Sequence, residues 1–219
     1  MKKINLKLSG FLFISILYLL GNSGCKKLPL QKSYDYEGQA LDAHVNMTAW
    51  AYMNSRPDVF STMIAAVNYA GMSAQYEQTD AKYTYLFINN TGMTAFMNKY
   101  GFSAITQIDV EKVKKLLQYH IIVGEYHAYD KKLPVEPIYV KTLLPGEDGL
   151  LTIKVNKSSA NSVGSPITNG NILINLRPSN FLSGSISSVT SNILPTNGAI
   201  HVFPGFAFYR RDANYTPVF

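Results

Sequence analysis

The chain of 219 residues has a single cysteine, a single tryptophan and four histidines. One thiol excludes an internal disulfide framework and a cysteine-based zinc site. The histidines, at positions 44, 120, 127 and 201, include no pair at the His-x-x-x-His spacing that sets two metal ligands on one helix face. There is no Gly-x-Ser-x-Gly elbow and no Gly-rich phosphate loop; Gly184-Ser185-Ile186-Ser187 is only a fragment of the former. Catalytic carboxylates can lie far apart in a sequence, so a hydrolase with dispersed acids stays open at this point. Two converging acids in a deep pocket would be its mark. Charge is also sparse: 16% of residues are Asp, Glu, Lys or Arg, with 20 basic against 14 acidic. Three of the basic residues, Lys2, Lys3 and Lys7, precede an apolar run; without them the balance is 17 against 14, or +3. No clustered Lys/Arg stripe remains, which excludes a typical nucleic-acid binder. Apolar residues make up 47%, enough for a real core in one domain of ordinary size.

The apolar run itself, LSGFLFISILYLL from Leu8 to Leu20, is shorter than the roughly 20 residues that a membrane-spanning helix needs. With basic residues before it and Gly21-Asn22-Ser23-Gly24 after it, residues 1–24 have the layout of a secretory signal peptide. Ser23-Gly24-Cys25 then resembles the lipobox of bacterial lipoproteins, with Asn22 where the common pattern has Leu. That resemblance implies an acylated Cys25 and a protein held by membrane lipid in the outer membrane of a Gram-negative bacterium. Several acyl chains, at about 0.8 kcal/mol per buried methylene, hold a protein durably. Residues 25–40 are polar and read as a tether; residues 41–212 are expected to form the domain and 213–219 a tail.

Within the domain, helices come first. Pro57 opens a segment in which Phe60, Met63, Ile64 and Val67 make one apolar stripe, and Gly71 suits the left-handed position after its end. A weaker helix is expected over 45–54. Asp109 is placed to cap 110–119, where Val113, Leu116 and Leu117 face inward and Lys112, Lys114 and Lys115 make a solvated face. Strands follow, over 150–156, 171–176, 185–194 and 199–209. Asn197-Gly198 between the last two is a hairpin signal, and Pro204 predicts an edge strand or a bulge. The order predicts an α+β fold.

Three segments in this order resemble the fasciclin domain. Tyr83-Thr84-Tyr85-Leu86-Phe87 through Ala95-Phe96 is similar to its first box, Leu116-Leu117-Gln118-Tyr119-His120 to its Tyr-His box, and Asn192-Ile193 with Asn197-Gly198-Ala199-Ile200-His201-Val202 to its second box. Lys141-Thr142-Leu143-Leu144 and Leu151-Thr152-Ile153-Lys154-Val155 fall where the family has a Thr-Leu-Leu segment and a Leu-Thr-Val strand. The resemblance covers roughly 44–210. Two departures are Ile88-Asn89-Asn90-Thr91-Gly92-Met93, about two residues longer than the usual stretch, and Pro204 in place of an acidic residue. It implies a twisted antiparallel β-sandwich wedge, with Phe87, Phe96, Asn197, Gly198 and His201 as its structural motif residues. It also implies an extracellular adhesion or interaction module without a cofactor, and contact roles for Tyr119 and His120.

Tyrosine is abundant, 15 residues against 11 Phe, and is favoured where proteins or sugars dock. Tyr126, Tyr129 and Tyr139 cluster after the Tyr-His box, with Tyr76 in a similarly polar stretch. The expected function is a lipid-anchored envelope module that binds a protein or glycan partner and catalyses nothing. The alternative is a structural accessory subunit of an outer-membrane assembly for nutrient uptake. His120 and His201, at element ends, are expected to be partly buried and hydrogen-bonded rather than ligands.

Overall fold

A computed structural model describes residues 42–129, 133–156, 170–176 and 184–209. The leader, Cys25, the tether and the tail lie outside the described residues. The described residues from Ala43 on belong to one compact unit.

Four of the five described α-helices are started by a local device, the short Ser73–Glu77 turn being the exception. Thr48 caps α1 (Ala49–Ser55), its hydroxyl accepting from the Ala51 amide at 3.2 Å. α2 (Pro57–Tyr69) has Pro57 in its first turn, where the missing N–H costs nothing, and Asp58 beside it. It buries Phe60, Met63, Ala66 and Val67, and Gly71 follows with φ of 65°. α3 (Ser73–Glu77) is a single short turn of helix. Asn89 caps α4 (Asn90–Lys99) by accepting from Gly92. Asp109 caps α5 (Val110–Tyr119) by accepting from Glu111 and Lys112. The helix expected over 45–54 begins only at Ala49, because the chain before it is extended against Leu194. Val45 donates to the Leu194 carbonyl and Leu194 to that of Ala43, both at 2.9 Å.

The strands are β1 (Tyr83–Ile88), β2 (Ile121–Val123), β3 (Ile138–Lys141), β4 (Leu150–Val155), β5 (Ile172–Ile174), β6 (Ile186–Ser187), β7 (Thr190–Ile193) and β8 (Gly198–Phe203). They form two four-stranded sheets, ordered β2-β1-β8-β7 and β3-β4-β5-β6. A bridge between Ile122 and Thr142 joins them. One cluster of buried side chains draws on the helices and on both sheets, so they share a core.

Three features depart from the sequence expectation. The pairing is not wholly antiparallel: β1 and β8 run parallel, Tyr83 opposite Gly198 through Ile88 opposite Phe203. These strands lie at opposite ends of the domain sequence, so no hairpin constrains their direction. Second, β8 is an inner strand, and Pro204 follows its last residue instead of interrupting it. The irregularity lies across the hairpin, where β7 shifts register between Thr190 and Ile193. Third, 185–194 is two strands in different sheets. Buried Ser188 exchanges hydrogen bonds with Ile172 of β5, and its neighbour Val189 donates to Val202 of β8 at 2.8 Å.

Candidate functional site

The motif residues converge on buried polar hubs. At the β7–β8 turn, fully buried Asn197 accepts from the Ala49 amide at 2.9 Å. Its amide nitrogen donates to the carbonyls of Tyr76 and Gln78, both at 2.9 Å, and lies 3.0 Å from the Tyr85 hydroxyl. One side chain thereby ties the start of α1, the end of α3 and β1 to the hairpin. Gly198 follows with φ of 148°, and a Cβ there would lie 1.8 Å from the Tyr83 carbonyl oxygen. Only glycine permits β8 to begin this close to β1. Burial pushes the Tyr85 hydroxyl up to about 12, partly offset by its bonds to Gln78 and Asn197.

His201 bridges two backbone groups. Its Nδ1 accepts from the Asn192 amide at 3.1 Å and its Nε2 donates to the Tyr126 carbonyl at 2.9 Å. The Asn192 carboxamide in turn accepts from Ala128 at 2.8 Å. Thr84 completes the attachment of this loop, donating to Gly124 and accepting from Tyr126, both at 2.8 Å. His120 works the same way with its nitrogens exchanged. Nδ1 donates to the Leu116 carbonyl at 2.8 Å, and Nε2 accepts from Ala207 at 3.0 Å. Both rings are fully buried, and loss of water pulls each down to about 4. They stand neutral near pH 7, each in the one tautomer its partners require.

Tyr119 is interior as well: its hydroxyl donates to the Leu150 carbonyl at 2.9 Å and lies 3.5 Å from the Asn175 carboxamide oxygen. Burial raises its ionisation well above the tyrosine range. Tyr119 and His120, expected as contact residues, therefore do not reach the surface; Tyr119 ties the end of α5 to β4, and His120 ties it to the segment after β8. Tyr76 is also buried, stacked on Tyr85 with ring centroids 5.5 Å apart. Phe87 and Phe96 are fully buried in the core. Tyr126 is half-buried. Tyr129 and Tyr139 are the ones that face outward, 56% and 52% exposed; Val123, Val135 and Val189 are exposed as well.

A groove of 390 Å³ lies beside β3, lined by Lys141, Thr142, Leu144 and Glu147 among others. Glu147 is the one carboxylate in that lining, so it does not present the converging acid pair of a glycosidase. Among the described residues no group of three His, Cys, Asp or Glu side chains is placed to hold a metal ion. Asn192 and Thr84 lie inside the boxes quoted from the sequence and Asn90 inside the lengthened stretch, but the sequence assigns none of them a role of its own. Asn90 joins α2 to α4 by accepting from Thr62 at 3.0 Å and donating to Asp58 at 3.1 Å. Beyond that membership, each of the three offers the sequence only a short polar side chain beside a strand or helix end.

The fasciclin domain matches this chain over residues 58–204. Among solved structures, the chain is similar to a FAS1 domain pair from the insect cell adhesion molecule fasciclin I. Identity is 18% and the TM-score 0.51; the match covers 73% of this chain and 50% of the other. The chain thus spans about half of that two-domain structure, a likeness of fold alone. No curated protein matches the sequence.

Proposed function

This chain belongs to the fasciclin domain family, an adhesion-type domain without enzymatic chemistry, and on that premise we propose that it is a lipid-anchored cell-envelope module that binds a protein or glycan partner. One observation carries the reading. The polar groups of the motif segments are consumed internally by backbone partners, as at Asn197, His120 and His201. Large apolar side chains, Tyr129 and Tyr139 foremost, are left outside. A buried, neutral, doubly bonded imidazole is neither a free base nor a free ligand. Exposed Tyr offers a flat apolar face and a hydroxyl at little entropic cost.

The anchor rests on Cys25 at the end of the leader. Cys25→Ala is expected to move the protein from membranes into the soluble fraction; unchanged membrane association would refute the anchor. Affinity capture from envelope extracts tests the binding role, with a recurrent protein or glycan as the expected result. Capture of one protein at constant stoichiometry would identify instead a fixed subunit of an outer-membrane assembly.

A further inference from the structure

The groove beside β3 is built by one stretch of chain, from Lys141 to Leu150, that folds back on itself. Thr142 holds the two ends of the loop together: its amide and its hydroxyl both donate to the Gly149 carbonyl, at 3.0 and 2.9 Å. The same hydroxyl accepts from the Leu144 amide at 3.3 Å, and Leu143 donates to Ile121 of β2 at 2.9 Å. Gly149 donates in turn to the Gly146 carbonyl at 3.3 Å. A Cβ on Gly149 would run into the Leu144 carbonyl, so the return is drawn tight. The cavity is therefore preformed, and its 390 Å³ falls within the range of ligand sites.

Its lining is mixed. Leu144, Pro145 and Leu150 supply an apolar surface, Lys141 a cation and Glu147 an anion. Both charged residues are exposed, and neither is in an ion pair among the described residues, where the pairs are Arg56–Asp58 and Lys114–Glu111. Tyr139 lies two residues before Lys141 on the same outward side of β3, about 7 Å along the strand. It is 52% exposed. Loss of water raises the Tyr209 hydroxyl, and Glu147, Asp148 and Tyr139 raise it further, so Tyr139 and the Glu147 carboxylate lie near one common neighbour. An aromatic ring thus stands beside a cavity that carries one charge of each sign.

We propose that this groove binds a neutral glycan: Glu147 accepts from, and Lys141 donates to, the hydroxyls of a sugar ring whose apolar face packs against Tyr139. The inference rests on the module reading above and narrows its partner class. A sugar hydroxyl both donates and accepts, so one carboxylate and one ammonium suit a single uncharged ring, and charge-assisted bonds of this kind are the strong ones. A polymer charged throughout with one sign would meet a repelling group in the same cavity. An added peptide strand would need a run of free backbone donors and acceptors. Here the amides of Thr142, Leu143, Leu144 and Gly149 are already bonded within the protein.

The test is a calorimetric titration of the full-length protein with neutral hexasaccharides of glucose, mannose and galactose. Hexagalacturonate serves as the acidic arm and tetra-alanine as the peptide arm. Saturable binding to at least one neutral hexasaccharide is expected, tighter than to either other arm and little changed as salt is raised. The Lys141→Ala/Glu147→Ala double variant is expected to lose about tenfold or more in affinity, with an unchanged melting curve because both side chains are exposed. Lys115→Ala is expected to bind as the parent does. Equal binding by parent and double variant, tighter binding to hexagalacturonate or tetra-alanine, or binding to no neutral hexasaccharide would overturn the assignment. Envelope capture separates this from the broader reading. Undiminished capture by the double variant removes the groove and keeps the module, whereas no capture by the parent removes the module itself.

Discussion

Asn192 gives its amide hydrogen to Nδ1 of His201 across the β7–β8 hairpin, at 3.1 Å, from a left-handed backbone with φ of 63°. The irregular register of β7 turns that amide towards the ring instead of along the ladder. An imidazolium would present a second N–H to the Asn192 amide, so the contact requires a neutral ring.

Stability should therefore depend on pH in one direction. His120 and His201 have folded values near 4, below the ordinary 6.5. Between those values the unfolded chain binds more protons, so the unfolding free energy rises with pH. Their contribution is complete above about pH 6.5 and is lost as pH falls towards 4. Urea melts across that interval check it. A His201→Gln variant should be less stable near pH 7 and show a shallower acid dependence; an unchanged slope would contradict the assignment.

Replacing Asn197 by Ala strands the Ala49 amide and the carbonyls of Tyr76 and Gln78 inside the protein. A loss of about 3 kcal/mol is expected in denaturant melts. Asn197→Asp keeps the acceptor for Ala49 but sets an oxygen against two carbonyls, and should be no better.

Gly198→Ala brings a methyl to 1.8 Å from the Tyr83 carbonyl. The parallel β1–β8 pair would have to separate at its first rung. A loss of about 4 kcal/mol or failure to fold is expected, against near-neutral behaviour for a substitution such as Lys115→Ala on the exposed face of α5.

Tyr129→Ser with Tyr139→Ser should leave stability within about 0.5 kcal/mol, since both side chains face solvent. Partner capture should fall by about tenfold or more if either is an anchor. Capture and melting measured on the same preparation separate the two effects.

What could be read from the sequence was local. The stripe Phe60, Met63, Val67, the cap at Asp109 and the Asn197-Gly198 turn each depend on a few neighbouring residues, and each is where the spacing put it. Ile64 of the same stripe is only half-buried. The parallel β1–β8 pair depends on segments more than a hundred residues apart, beyond any periodicity. The Tyr-His box was recognisable as a motif, but its inward orientation is set by Leu150, Asn175 and Ala207, which belong to other elements. The lysines of α5 read as a solvated face; that one of them lies over Tyr100 follows from how α4 ends, which no pattern within α5 encodes.

Ser188 and Val189 are consecutive, yet the first is fastened to β5 and the second to β8. A single peptide unit is the whole span between the two sheets at that step, and it has no slack. Traction applied to the hairpin by anything gripping the surface would pass straight into the opposite layer, so the layers would yield together or not at all. In an adhesion-type domain such stiffness would spread load through the shared interior before any strand could peel away.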